Sequence, residues 1–164
     1  MSSSPAIQLA HLSGFSPIIA TSSLRHFDFL KSIGATDILD RSTPLTKSII
    51  NAITSKPITV VYDAISSAET QESGVGILAP KGKLAVVLSP VESAVKMAEK
   101  EGKDIVRVHG FKVAPPNVQL VREFWAHATG LLESGDLKVR LIPSTLEGSH
   151  IYSYIQPLRY EVLR

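Results

Sequence analysis

Short apolar runs alternate with longer segments of helical periodicity along the chain. The runs are rich in β-branched residues, and their apolar positions are contiguous, as in Val60-Val61 and Val86-Val87-Leu88. Strands covered on both faces have this pattern, which favours a parallel sheet between helix layers. The predicted strands are Pro17–Thr21, Asp37–Leu39, Ile58–Asp63, Lys83–Leu88, Ile105–His109 and Leu137–Ile142.

The intervening segments carry residues that typically start and stop helices. Ser or Thr precedes them and glycine follows them. The predicted helices are Leu24–Ile33 between Ser23 and Gly34, Leu45–Thr54 after Thr43-Pro44, and two that follow the capping boxes Ser66–Glu69 and Ser89–Glu92, the second ending near Gly102.

The longest predicted helix runs from Asn117 to Gly135, and a last one over Ile151–Leu163 is interrupted by Pro157. The long helix carries one apolar stripe at helical spacing, formed by Val121, Phe124, Trp125, Ala128, Leu131 and Leu132. Regular alternation of strands and helices indicates βαβ units, and hence an α/β fold with a doubly wound parallel sheet. We interpret residues 1–164 as one domain.

Composition excludes several classes of protein. The 164 residues include no cysteine, so thiolate zinc sites, iron–sulfur clusters and cysteine nucleophiles are ruled out, and the five histidines lack metal-ligand spacing. A net charge of +2 is too weak and too scattered for a nucleic-acid surface. No apolar run approaches membrane-spanning length and no signal peptide is visible, which predicts a cytoplasmic protein.

Ligands of open parallel sheets bind at the carboxyl ends of the strands, beside helix N-termini. Four loops occupy that position: Thr21–His26, Asp40–Ser42, Asp63–Ser66 and Leu88–Pro90. In the first loop, where NAD binders tend to place an acidic residue, three hydroxyls and two basic groups suit a 2′-phosphate, so NADPH is favoured over NADH. These residues are Thr21, Ser22, Ser23, Arg25 and His26, with Arg41 as a second cation.

Simpler interpretations stay open for these residues. One alternative is that Ser22 and Ser23 do no more than cap a helix, while the Arg25 side chain lies in solvent. Gly74-Val75-Gly76 lacks a third glycine and falls in a predicted helix, so it is not predicted to bind phosphate. Asp63 is expected to order its own loop, His127 to be structural or solvated, and His109 to end a strand from which it could approach a cofactor.

Seven short segments follow one another in a characteristic order: Ala6–Ala10, Leu12–Gly14, Ile18–Thr21, Leu30–Thr36, Val60–Asp63, Gly82–Leu84 and Leu131–Lys138. Together they resemble the cofactor-binding domain of medium-chain dehydrogenases/reductases, and within that superfamily the fungal zinc-independent enoyl reductases and quinone-oxidoreductase-like proteins. The resemblance implies a Rossmann-like fold and NADPH-dependent hydride transfer. It places Thr21, Ser22, Ser23 and Arg25 at the 2′-phosphate, Arg41 beside the adenosine, Ala64 and Ile65 near the dinucleotide, and Leu88 near the nicotinamide ribose.

Some features of the family are not found in this sequence: its catalytic domain, the first strand of its nucleotide fold and the glycine-rich turn after that strand. Residues 149–164 also diverge from it. We therefore expect an incomplete sheet whose central slot must close up, recruit another chain or leave the fold unstable. The leading hypothesis is an NADPH-binding domain with little or no activity alone. The alternatives are a non-catalytic module that pairs with another subunit in a homo- or hetero-oligomer, and an incomplete gene model of a full-length reductase.

Overall fold

The computed structural model describes residues 4–109, 115–138 and 162–163. Its strands form one sheet in the order β2-β1-β6-β3-β4-β5. The strands are β1 (Ile19–Ser22), β2 (Asp37–Asp40), β3 (Val60–Asp63), β4 (Lys83–Val86), β5 (Asp104–Arg107) and β6 (Val162–Leu163). The helices are α1 (Ser4–Leu12), α2 (Phe27–Ser32), α3 (Lys47–Ile53), α4 (Ala68–Ile77), α5 (Glu92–Lys100) and α6 (Pro115–Glu133), with a 3-10 turn at Leu24–His26 before α2.

The predicted parallel α/β sheet is confirmed. β1 pairs with β2, β3 with β4, and β4 with β5, each in parallel over four residue pairs. Leu137 and Lys138 follow α6 outside any described strand, so the prediction of a strand over Leu137–Ile142 is wrong at its first two residues. The rest of that range lies outside the described residues.

The slot between β1 and β3 holds β6, which runs antiparallel to both neighbours. Leu163 lies opposite Ile19 and Val61, and Val162 lies opposite Tyr62. We expected the slot to close up, to recruit another chain or to leave the fold unstable. Instead, a strand from the same chain fills it. The predicted helix Ile151–Leu163 is wrong at Val162-Leu163, because buried edges of β1 and β3 need backbone partners. Residues 151–161 lie outside the described residues.

The core consists of two clusters, one on each face of the sheet. One cluster joins β1, β3 and β4 to α3, α4 and α5, and the other joins β1 to α1 and α2. Ile19 belongs to the first cluster and Ala20 to the second, so successive residues of β1 pack on opposite faces. Two covered faces explain why the apolar positions of the strands do not alternate with polar ones.

Several predicted helix starts are displaced in the structure. Ser23 precedes only the 3-10 turn and its side chain makes no capping bond there. Thr46, not Thr43, caps α3 by accepting from the Ile49 N–H, so Pro44 lies before the helix. Each displacement arises because the chain remains at the carboxyl edge of the sheet for several residues before it turns into a helix.

The two predicted capping boxes are wrong, although both helices exist. Ser67 caps α4 and accepts from the Thr70 N–H, while Ser66 has a left-handed φ of 57° and belongs to the preceding loop. Val91, not Ser89, is the residue before α5, and its side chain makes no hydrogen bond that caps the helix. The hydroxyl of Ser66 is used in tertiary contacts, which explains why the sequence pattern misplaced the cap by one residue.

Helix α6 begins two residues before the predicted Asn117, at Pro115, and its apolar stripe is only partly covered. Ala128 is buried, whereas Trp125 is 60% exposed and Leu132 is 45% exposed. His127 lies on the exposed side, where its Nδ1 pairs with the Glu123 carbonyl oxygen at 2.8 Å, as expected for a structural or solvated histidine.

Gly74 and Gly76 lie inside α4, so the prediction that they fall in a helix is confirmed. A Cβ at Gly74 would stand 2.9 Å from Leu84 Cδ1 and 3.3 Å from Val61 Cγ1, so this glycine lets the helix approach β3 and β4 closely. A Cβ at Gly76 would meet only Met97 Cε, at an ordinary 3.6 Å.

Gly74→Ala should lower the free energy of unfolding by about 1–3 kcal/mol, because the added methyl overpacks the helix–sheet contact. Gly76→Ala, in the same helix, is the matched control and should raise it by up to about 1 kcal/mol through helix propensity. Urea denaturation followed by circular dichroism measures both values. A Gly74→Ala variant as stable as Gly76→Ala would show that the close approach is not needed.

A buried cation links α4 to the start of β5. Lys103 is 6% exposed, and its Nζ donates to the Val75 carbonyl oxygen at 2.7 Å and to the Glu101 carboxylate. The hydrogen bond from Lys103, helped by its charge, holds the pKa of Glu101 below its ordinary value of 4.5. A lowered carboxyl pKa stabilises the fold above the unfolded-state value, and this contribution is lost as pH falls through the folded-state pKa.

Glu101→Gln should therefore lower the urea midpoint at pH 7, since it leaves Lys103 without its carboxylate partner. Its difference in stability from the wild type should shrink as the pH falls through the lowered pKa of Glu101, because the wild-type carboxyl group then becomes protonated as well. Glu99→Gln, at an exposed position of α5, serves as the control. It should change neither the urea midpoint at pH 7 nor the dependence of stability on pH. Equal sensitivity of Glu101→Gln and the wild type to acid would refute the assignment.

Candidate functional site

A pocket of about 650 Å³ opens at the carboxyl ends of β1 and β3. The chain leaves β1 toward β2 on one side and β3 toward β4 on the other, so the pocket lies where the strand order changes direction. Open α/β sheets bind ligands at this place. The lining includes Ser4 at the start of α1, which adds the backbone N–H groups of a helix N-terminus to the same region.

The structure brings together eight of the nine predicted site residues. The pocket is lined by Thr21, Ser22, Ser23, Arg25, His26, Arg41, Ala64 and Ile65. In particular, Thr21 near the carboxyl end of β1 and Ile65 just after β3 line the same space. Leu88 lies outside it and is 56% exposed, because it follows β4, one strand further along the sheet. The prediction that these residues bind a cofactor remains a prediction.

The basic side of the pocket is built by the loops after β1 and β2. The Arg41 N–H donates to the Ser22 carbonyl oxygen at 2.9 Å, which holds the second loop against the first. The Arg25 Nε donates to His26 Nε2 at 3.1 Å, which holds these two side chains together on the same side of the pocket. Both arginines are exposed and can reach an anion in the pocket.

Asp40 ends β2 immediately before Arg41, and its carboxylate accepts hydrogen bonds within its own turn. The Ser42 N–H donates to Asp40 Oδ1 at 2.8 Å, and the Ser42 hydroxyl donates to the same oxygen. These two hydrogen bonds, with a smaller contribution from Arg41, hold the pKa of Asp40 below its ordinary value. The carboxylate therefore stays ionised, and Ser42 satisfies it.

Asp63 orders the loop after β3, as expected from the sequence. It is 3% exposed, and its Oδ1 accepts from the N–H groups of Ile65 at 2.9 Å and Ser66 at 2.8 Å. Its Oδ2 accepts from the Thr70 hydroxyl at 2.7 Å. These bonds account for both oxygens and indicate a structural rather than an acid–base role.

Asp63→Ala should lower the free energy of unfolding by about 1–3 kcal/mol, because it leaves two backbone N–H groups of this loop without a hydrogen-bond acceptor. Asp63→Asn keeps an oxygen for those two donors, and the Thr70 hydroxyl can turn to accept from the new amide, so the loss should be clearly smaller. Thermal unfolding compares the two variants. Equal losses would mean that the negative charge, not the hydrogen-bond pattern, holds the loop.

His109 is placed away from the pocket. It follows β5, and its backbone carbonyl oxygen accepts from Asn117 Nδ2 at 2.6 Å, which ties the strand end to the beginning of α6. The suggestion that His109 approaches a cofactor at this pocket is therefore not supported by its position.

The sequence analysis missed part of the lining. Tyr62 and Val61 face the pocket from inside β3, Glu69 and Ser73 from α4, and the segment Thr43–Thr46 from beyond β2. The sequence did point to the segment Thr43–Thr46, because it follows a predicted strand. It was assigned to the beginning of a helix, but α3 begins only at Lys47. The side chains within β3 carry no local signal that distinguishes them from core residues.

Within residues 4–109 and 115–138, no three histidine, aspartate or glutamate side chains come close enough together to hold a metal ion. Among the described helices, none is both long and apolar enough to cross a bilayer.

A largely parallel sheet between helix layers, with a pocket where the strand order changes direction, is the architecture of the Rossmann-like class. Residues 4–105 match the family model described as zinc-binding dehydrogenase. The match covers more than half of the chain, which therefore belongs to this family as a cofactor-binding domain of the medium-chain dehydrogenases/reductases.

Two fungal relatives show the same relationship. A dual trans-enoyl reductase/FAD-dependent monooxygenase from Aspergillus terreus is 30% identical over 144 residues, which are 82% of this chain and 21% of that protein. A trans-enoyl reductase from Hapsidospora irregularis is 29% identical over 147 residues, which are 81% of this chain and 38% of that protein. The chain thus spans well under half the length of these relatives.

Solved structures show the same fold. The quinone oxidoreductase of Pseudomonas syringae pv. tomato superposes with a TM-score of 0.67 and 24% identity, covering 83% of this chain and 43% of that protein. This likeness confirms the α/β fold predicted from the alternation of strands and helices, and the Rossmann-like fold that the family resemblance implies.

The residues present fit the nicotinamide dinucleotide that such domains bind. The pocket volume of about 650 Å³ lies within the range of about 300–1,000 Å³ usual for small-molecule sites. Its basic groups lie on the β1 and β2 side, and its apolar residues Ala64 and Ile65 lie on the β3 side. An elongated ligand with an anionic end and a less polar end matches this polarity.

Proposed function

We propose that this chain binds NADPH in the pocket at the carboxyl ends of β1 and β3 and serves hydride transfer of the enoyl- or quinone-reductase type. The observation that carries the proposal is the convergence of Arg25, Arg41 and the three hydroxyls of Thr21–Ser23 on one pocket. This set suits a phosphate on the adenosine ribose, because each member can donate a hydrogen bond and two carry a positive charge.

The proposed division of roles follows the geometry. Arg25 and the hydroxyls of Ser22 and Ser23 hold the 2′-phosphate, and Arg41 lies beside the adenosine. The N-terminus of α1, which begins at Ser4 in the pocket lining, faces the phosphates of the linker.

The apolar residues of the other loops complete the proposed site. Ala64 and Ile65 contact the middle of the dinucleotide, and Leu88, which lies beyond the pocket, is at most a contact to its nicotinamide end. NADPH supplies the hydride, and the chain's own residues bind and orient it. Because the fungal relatives are more than twice as long as the part they share with this chain, we propose that the 164 residues alone bind cofactor but turn over substrate weakly or not at all.

The alternative hypothesis of a pairing module rested on an exposed gap or edge of the sheet. β6 occupies the gap between β1 and β3 from within the chain, which leaves only the outer edges of the described sheet, at β2 and β5, to support that alternative. The cofactor-domain hypothesis is therefore favoured.

Arg25→Ala should weaken NADPH binding by about ten- to a hundredfold and NADH binding far less, because a charge-assisted phosphate contact contributes about 1.5–3 kcal/mol. Arg122→Ala, which removes an exposed arginine of α6 outside the pocket lining, is the matched control and should change neither affinity. Isothermal titration calorimetry of each variant with both cofactors measures the four ratios.

Two results would count against the proposal. Equal losses for NADPH and NADH would remove Arg25 from the phosphate site. A wild-type chain with no measurable affinity for either cofactor would defeat cofactor binding by this chain altogether.

A further inference from the structure

The loop after β3 and the loop after β4 are joined by two buried polar side chains. The Ser66 hydroxyl, on a residue 5% exposed, donates to the Asp63 carbonyl oxygen at 2.9 Å and accepts from the Val87 N–H at 3.0 Å. One hydroxyl thus connects the end of β3 with the first residue after β4.

Gln71 of α4 makes the second connection. Its side chain is fully buried, and its Nε2 donates to the carbonyl oxygens of Ser66 at 3.0 Å and Ser89 at 3.2 Å. Its Oε1 accepts from the Val91 N–H at 2.9 Å. Gln71 therefore binds three backbone groups in two loops.

Together the two side chains bracket Leu88. The backbone is held at Val87, Ser89 and Val91, immediately before and after this residue, while the Leu88 side chain itself stays exposed. Buried polar groups that are completely paired allow one arrangement, because any shift of either loop leaves an unpaired group in the interior. The relative position of Ile65 and Leu88 is thus set by Ser66 and Gln71.

Resting on the proposed function, we propose that Ser66 and Gln71 are positioning residues that hold the Leu88 loop in register with the Ala64-Ile65 loop and so set the geometry of the nicotinamide half of the bound cofactor. The adenosine half is held by the loops after β1 and β2, which neither side chain contacts in the described structure. The two halves of the cofactor should then respond differently when the connection is cut.

The test is Ser66→Gly, because glycine accepts the left-handed φ of 57° while the tether to Val87 is lost. The affinity for NADPH should fall by about three- to tenfold. The affinity for 2′,5′-ADP, which represents the adenosine half alone, should change by less than about twofold. Isothermal titration calorimetry at one salt concentration measures the affinity for each of the two ligands.

Ser67→Gly is the matched control, since it also replaces a serine by glycine, at the residue that follows Ser66. It removes the cap of α4, where Ser67 accepts from the Thr70 N–H, and leaves the β4 loop untouched. It should change thermal stability slightly and leave the ratio of the two affinities as in the wild type.

Amide hydrogen exchange gives a readout that needs no ligand. In Ser66→Gly the Val87 amide should exchange about tenfold faster, while in Ser67→Gly the accelerated amide should be that of Thr70. Unchanged Val87 exchange, or equal losses for NADPH and 2′,5′-ADP, would overturn the positioning role alone. A wild type that binds neither ligand would overturn the proposed function and this inference with it.

Discussion

Backbone pairing across the slot between β1 and β3 is the constraint on which the pocket depends. One wall of the pocket is carried by β1 and β2, and the other by β3 and α4. Among the described residues, their ladders meet only through β6, where Leu163 pairs with both Ile19 and Val61. Unpaired strand edges in the interior would be costly, so a short antiparallel strand is a stable solution even though the other pairings of the described sheet are parallel.

Side-chain packing reinforces this connection from one face. Ile19 of β1 and Val61 of β3 belong to the same buried cluster, so apolar contacts span the slot beneath the ladder. The pocket residues Thr21 and Ile65 lie a few residues beyond these two, at the carboxyl ends of the same strands. Rigid pairing at the base therefore determines the width of the pocket at its opening.

The sequence predicted the strands well and the connections less well, for a physical reason. A strand such as Val60–Asp63 is marked by its own β-branched residues, whereas a cap depends on what else the hydroxyl can bind. Ser66 was assigned to a capping box, but its hydroxyl is engaged by Val87, a residue 21 positions away. The strand Val162–Leu163 carried no local signal either, because its conformation is imposed by the slot that it fills.

The same reasoning explains why eight of the nine predicted site residues line one pocket and Leu88 does not. The topology of a parallel sheet places all its carboxyl-end loops at one edge, and this can be derived from the order of the strands alone. How far each loop reaches over the edge depends on tertiary hydrogen bonds such as those of Asp63 and Gln71. Since the loops that carry Arg25 and Arg41 are joined by the Arg41–Ser22 backbone bond, and those beyond β3 and β4 by Ser66 and Gln71, the site consists of two separately braced halves. A change in the basic half can therefore alter the preference for a phosphate without moving the loops of the other half.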